Sequence, residues 1–145
     1  MSIFISIASY KDPLLVSTIL SAYDNAENKN DLIFSICDQS DNGIQINEIA
    51  FSNQIHYDHV DPVFAKGPCW ARHRAQSFFN EEDFFLQVDS HTLFAPRWDS
   101  IFIEQLEKIS ANQENDEYFK KPIITSYPRS FKVLDFDKSL FELNT

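Results

Sequence analysis

The chain has 145 residues and a formal net charge of −10, and its 43% hydrophobic content, including 14 phenylalanines, is enough to build one folded domain around a real core. It holds only two glycines, Gly43 and Gly67, where an average chain of this length has roughly 10. Neither a dinucleotide-binding Gly-x-Gly-x-x-Gly loop nor a Walker A loop can be written with them. The acidic balance repels polyanions and argues against nucleic acid as a partner. Cys37 and Cys69 are too few for a disulfide framework, lack zinc-ribbon spacing, and read as buried reduced thiols. Met1-Ser2-Ile3-Phe4 carries no signal-peptide pattern. No apolar stretch reaches the ~18 residues that span a bilayer, so no transmembrane segment and a cytoplasmic location are expected.

Residues 3–8, Ile-Phe-Ile-Ser-Ile-Ala, are apolar and β-branched without helical period, the mark of a strand buried on both faces. Asp12-Pro13 reads as a helix start, with Leu14, Leu15, Thr18, Ile19, Ala22 and Tyr23 forming one apolar stripe. Turn formers over 25–30 end it. Residues 32–37 make a second buried strand, closed by a polar loop over 38–43. Strand, helix and strand with tight connections form a βαβ unit, so a mostly parallel, Rossmann-like α/β sheet begins at the N-terminus. An irregular excursion over 44–54 leads to a third strand at 55–60. Residues 62–68 are loop, and a helix follows Gly67-Pro68 over 70–79. Residues 84–88, Phe-Phe-Leu-Gln-Val, are the most apolar strand. A helix over 98–109, a polar loop over 111–121, a strand over 123–126 and an apolar tail beyond 130 complete the chain.

In an open parallel sheet, ligands bind beyond the carboxyl ends of the strands. That rule nominates Ser9 and Tyr10, Asp38, and the run Asp89-Ser90-His91. In extended backbone, positions i and i+2 project to the same side, so Asp89 and His91 present one carboxylate and one imidazole together. Such a mixed pair suits manganese or another transition ion better than magnesium or calcium. Lys66, Arg72 and Arg74 form a basic island within nine residues, with no acid between Val63 and Asn80, where a loop enters a helix. Backbone donors and the helix dipole at that point add to the attraction for an anion. A metal pair beside an anion-binding helix start is what a metal-bound diphosphate requires. His56 and His59, around Tyr57-Asp58, read as edge-strand histidines rather than a second metal site, and Trp70 and Trp98 as core.

Asp89-Ser90-His91 preceded by Phe84-Phe85-Leu86-Gln87-Val88, with Ala71-Arg72 upstream and Trp98 downstream, resembles the donor half of GT-A glycosyltransferases. The motif is similar to the Asp-Ser-His form found in polypeptide GalNAc-transferases. The opening Ile5-Ser6-Ile7-Ala8-Ser9-Tyr10-Lys11-Asp12-Pro13, the central Gly67-Pro68-Cys69-Trp70-Ala71-Arg72 and the later 121–128 are closer still to the GlcNAc-transferase family that includes cytoplasmic enzymes acting on protein hydroxyproline. The resemblance implies a UDP-sugar donor, GlcNAc by analogy, a hydroxyl-bearing protein or glycan acceptor, and retention of anomeric configuration. Carried over by position, Ala8, Ser9 and Tyr10 border the uridine and Asp38 meets the uracil or ribose. Lys66, Gly67, Arg72 and Ser90 line the nucleotide and diphosphate. Asp89 and His91 hold a divalent metal, manganese by preference, that bridges the phosphates and makes these two residues the catalytic pair. A further ligand is expected from Asp135, Asp137 or Glu142, or from water. The whole of 1–145 reads as one nucleotide-sugar-binding domain, cut before its acceptor half. Two other classes compete: a UDP-sugar-binding module without turnover, and a metal-dependent phosphoesterase, which needs more carboxylates near Asp89 than the sequence supplies.

Overall fold

A computed structural model describes residues 1–111 and 122–131. In chain order the main elements are β1 (Ile3–Tyr10), α1 (Leu15–Asn25), β2 (Leu32–Gln39), β3 (Ile55–Val60), α2 (Pro68–Gln76), β4 (Phe84–Asp89) and α3 (Trp98–Ala111). The four strands form one all-parallel sheet in the order β3-β2-β1-β4. Together with its helices it is the Rossmann-like α/β architecture expected from the βαβ opening.

The two central strands are apolar on both sides because both sides are covered. On one face Ile3, Ile5 and Ile7 of β1 and Leu32, Phe34 and Ile36 of β2 pack with Leu15, Ile19 and Ala22 of α1. Each fully buried side chain of this size contributes about 1.5–3 kcal/mol. The excursion over 44–54 adds to this layer through two short 3-10 turns, Ile46–Glu48 and Ser52–Gln54. They set Ile49 and Phe51 into the core, the Phe51 ring stacked on Tyr23 at 3.6 Å between centroids. On the opposite face α2 lays Ala71 and Ala75 against Cys37 and Val60. Small residues there let the helix approach closely enough for Ser35 to donate its hydroxyl to the Ala75 carbonyl at 2.7 Å. Farther along this face Phe4 stacks on Phe85 and meets Phe79 edge-on.

Connections on opposite faces create the position of the site. From β1 the chain passes through α1 on one face to β2, whereas β4, on the other side of β1, is reached from β3 through α2 on the opposite face. The carboxyl ends of β1 and β4 therefore flank a topological switch point, the crevice where open α/β sheets bind ligands.

Several boundaries differ from the sequence expectation. The first helix begins at Leu15, two residues after the expected start, because Asp12 caps the Leu14 amide in the preceding turn. Strand β2 continues through Asp38 and Gln39, two polar residues expected in a loop, and both are buried. The second helix spans 68–76 and not 70–79, starting directly at Pro68, whose missing amide hydrogen costs nothing at a first helical position. Residues 123–126 form no strand: Ile123 is exposed and the run has no ladder partner among the described residues, and β propensity alone does not hold an unpaired strand. Cys37 is buried as expected, and burial pushes its thiol up to about 11. Cys69 is exposed instead, on the first turn of α2. Of the polar loop expected over 111–121, Ala111 belongs to α3 and the rest lies outside the described residues, as does the part of the expected tail beyond 131, with Asp135, Asp137 and Glu142.

Candidate active site at the sheet switch point

Strand pairing sets the lateral order of the candidate residues. Ala8 lies in register with Cys37 on one side and Asp89 on the other, and Ser9 with Asp38. Asp89 is the last residue of β4 and its side chain is 63% exposed; the Asp89 carboxylate meets Arg72, Nη2 to Oδ1 at 3.2 Å, from the second turn of α2. This places one residue of the basic island directly beside the acid of the motif. The Lys66 ammonium lies 5.9 Å from the Trp70 ring centroid, and Gly67, at φ +91°, turns the chain into α2 where a Cβ would meet open space.

His91, two residues on, takes a different partner. Its Nδ1 lies 2.8 Å from Asp12 Oδ2, and the Ser90 hydroxyl donates to the same oxygen at 2.6 Å. The other Asp12 oxygen accepts the Leu14 amide at 2.9 Å. Burial opposes ionisation of Asp12, but the hydrogen bonds from Ser90, His91 and Leu14 outweigh it and hold the carboxyl below its ordinary range. An ionised carboxylate only accepts, so the hydrogen shared by the two lies on His91 Nδ1. Asp89 and His91 thus leave the same strand end with separate contacts, the first on the α2 side and the second toward α1.

The segment after the motif is fastened along α1. Thr18 donates to the Ser90 carbonyl at 2.7 Å and accepts from the Thr92 amide; Ser21 accepts from Phe94, and Asn25 accepts from Arg97 through its carbonyl. Trp98, buried as expected, donates its indole N–H to the Ala22 carbonyl. Positions 18, 21, 22 and 25 lie on one side of a helix, so α1 is the template on which the Asp-Ser-His turn is held. At the end of this run Asp99, fully buried, accepts the backbone amides of Glu27 and Asn28 at 2.9 and 2.8 Å.

On β1 and β2 the candidates divide by exposure. Tyr10 is open to solvent, whereas Ser9 is buried with its hydroxyl unpartnered among the described residues. Asp38 is buried, and its Oδ2 accepts from Tyr57 at 2.7 Å and Ser40 at 2.9 Å. Tyr57 also accepts the Ile44 amide, and burial first, then the bond to Asp38, raises its phenol far above the ordinary value. Asp38 therefore organises the turn after β2. The neighbouring Gln39 donates its amide to the Ser9 carbonyl at 3.0 Å and leaves a buried Oε1 without a partner.

Arg74, the third member of the basic island, forms a two-pronged ion pair with Asp58 and lies over the Trp70 ring at 4.9 Å. It lines an open groove of about 380 Å³ with Asp58, Trp70, His73, Ser77 and Phe78. None of Asp12, Arg72, Asp89 and His91 borders that groove, so it is separate from the switch point. His56 stacks on Phe78 and His59 lies 2.7 Å from the Ser40 carbonyl, as edge-strand histidines do.

Asp12 and Gln39 were not among the sequence candidates. Asp12 reads as a helix cap, yet it stands in the loop at the carboxyl end of β1, and the rule that nominates Ser9 and Tyr10 reaches it as well. Gln39 adjoins Asp38 and is in register with Tyr10.

A family model described as Glycosyltransferase (GlcNAc) matches residues 41–145. The chain belongs to this glycosyltransferase family. A search of curated proteins finds no match. Within this glycosyltransferase, β3, α2, β4, the Asp-Ser-His turn and α3 fall inside the matched region, and β1, α1 and β2 precede it. A sugar donor and an acceptor follow from membership. No helix among the described residues is long and apolar enough to cross a membrane.

A metal ion fits the donor chemistry of the motif in part. Asp89 offers an exposed carboxylate and His91 an imidazole whose Nε2 is left for a ligand by the bond at Nδ1. No group of three ligating side chains occurs among the described residues. A transition ion would find one oxygen and one nitrogen donor here, and its remaining positions would be left to substrate oxygens and water.

Proposed function

We propose that this glycosyltransferase transfers a sugar, GlcNAc by resemblance, from a UDP-sugar to a hydroxyl of a protein or glycan acceptor, with a divalent metal, manganese by preference, and with retention of configuration. The observation that supports the reading is the Asp89–Arg72 pair at the carboxyl end of β4, beside the β1/β4 switch point, with His91 two residues further on. Departure of UDP leaves negative charge on its diphosphate; Asp89 and His91 would hold a divalent ion, which would supply the Lewis acidity that stabilises this charge. Arg72, released from Asp89, turns its guanidinium to the phosphates, and Lys66, Gly67 and the first amides of α2 add donors on the same side. Ser90, engaged with Asp12, keeps the motif turn in place. Ala8, Ser9, Tyr10 and Asp38 border the uridine, and the buried acceptor oxygen of Gln39 stands beside them. Like the enzymes it resembles, the protein is assigned to the cytoplasm.

Turnover tests this reading. With UDP-GlcNAc, manganese and a pool of serine-, threonine- or hydroxyproline-containing peptides and simple glycosides, the protein is expected to release UDP and yield a glycosylated product. Asp89→Asn is expected to lower the rate by at least tenfold. Release of UDP and free sugar that is indifferent to Asp89→Asn, or release of UMP in place of UDP, would contradict the assignment, the latter pointing to a phosphoesterase.

A further inference from the structure

The proposed donor site gives Asp89 and His91 roles and leaves Asp12 with none. Asp12 is nevertheless the most heavily engaged side chain around the motif, with three donors on its two oxygens: Leu14 on Oδ1, Ser90 and His91 on Oδ2. Two of these donors are the second and third residues of Asp-Ser-His, and Asp12 comes from a different element, the turn between β1 and α1. A helix cap needs only the Leu14 bond. The two bonds on Oδ2 do nothing for the helix and fix the rotation and tautomer of one ring.

We propose that Asp12 is a positioning residue for the metal site: by accepting the Nδ1 hydrogen of His91 it fixes the rotation of the ring and, in the neutral ring, the tautomer that leaves the lone pair on Nε2 for the ion. This rests on the donor-site reading above, in which His91 is a ligand. The physical basis is general to imidazole ligands, whose second nitrogen is oriented by a carboxylate or carbonyl, and loss of that partner typically costs about 10–100-fold in metal affinity. Ser90 contributes to the same end. Its hydroxyl shares Oδ2, and its carbonyl is held by Thr18, so the turn carrying the ring is fixed at both its side chain and its backbone. Arg72 lies on the Asp89 side, so the two ligands are oriented independently, one through α2 and one through the β1–α1 turn.

The test combines a spectrum that needs no metal with a binding cycle. The protein has four histidines, and long-range 1H–15N spectra of their imidazoles at pH 8, with His91→Ala to assign the signal, report the tautomer of each ring. His91 in the parent protein is expected to be in the Nδ1–H form, and in Asp12→Asn to become a mixture. Asparagine still caps the Leu14 amide, so far-UV circular dichroism and thermal melting should stay close to the parent. Manganese affinity, read from free Mn2+ by electron paramagnetic resonance in the presence of UDP, is expected to fall about tenfold in Asp12→Asn, further in His91→Ala, and no further in the double variant than in His91→Ala alone.

An Nε2–H tautomer of His91 in the parent protein overturns the proposal without any variant. So do additive losses in the double variant, which would show that Asp12 does not act through His91 while leaving His91 a ligand. If His91→Ala leaves manganese affinity unchanged, the metal site itself is refuted, and the positioning role falls with it.

Discussion

Asp12 and His91 stand 79 residues apart in the chain and share a 2.8 Å hydrogen bond across the top of the sheet. The contact joins the connection between β1 and α1 to the end of β4, the last of the described strands. It forms because the β1/β4 pairing sets Ala8 beside Asp89, and the two turns that follow these residues then face each other. A site assembled this way depends on the sheet being fully formed.

The fastening of the motif segment to α1 ends at Asp99, and its stability contribution has a defined pH dependence. Burial opposes ionisation of Asp99, yet the amides of Glu27, Asn28 and Ser100 and the Asn28 side chain hold its carboxyl below the ordinary range. A carboxyl depressed in the folded state stabilises above the unfolded value of about 3.9, and that stabilisation is lost as pH falls through the folded value. Asp99→Asn is expected to cost about 1–3 kcal/mol at pH 7, measured by urea denaturation, and the gap to the parent protein should narrow below about pH 4. A gap that widens on acidification would contradict the assignment.

Gly43 is required by both its backbone and its surroundings. Its φ is +65°, and a Cβ there would lie 2.8 Å from the Tyr57 hydroxyl, which is tied to Ile44 and Asp38 and cannot swing away. Gly43→Ala is expected to destabilise by about 1–3 kcal/mol. In a Tyr57→Phe background, where that oxygen is gone, the same substitution should cost less. Equal costs in the two backgrounds would show that the clash is relieved by other movement.

Arg72 is expected to act on the nucleotide more than on the fold. Its pair with Asp89 is solvent-exposed, and exposed pairs contribute only about 0–1 kcal/mol to stability. Arg72→Ala should therefore leave the melting temperature within a few degrees of the parent while weakening UDP binding roughly 10–100-fold, the equivalent of one charge-assisted hydrogen bond. Arg72→Lys should recover part of the loss, since it keeps the charge without the fork. Unchanged UDP affinity in Arg72→Ala would remove it from the site.

The sheet is legible in the sequence where burial is two-sided. Ile3–Ala8 and Leu32–Cys37 are apolar runs interrupted only by one serine each, Ser6 and Ser35, because α1 and α2 cover both faces, and strand-helix-strand spacing then leaves little freedom of topology. The Asp-Ser-His turn stands out in the sequence because it ends the mostly apolar run over 84–88, although β4 is half-buried with Phe85 exposed. Asp38 and Gln39 resist reading because their polarity is answered chiefly by Tyr57 and Ser9, partners outside any local pattern. Asp12 resists for the same reason: its local cap to Leu14 is visible in Asp-Pro, while its bonds to Ser90 and His91 exist only after the chain has folded. Ile123–Ser126 shows the converse, a β-branched run that has no described strand to pair with.

The central claim, a metal-dependent UDP site at the β1/β4 switch point, is tested most directly by calorimetric titration of UDP into the full chain with and without manganese. Binding is expected only with manganese present, and Asp89→Ala is expected to abolish it while the fold is retained. UDP binding that is equally strong without manganese, or unchanged in Asp89→Ala, would contradict the account.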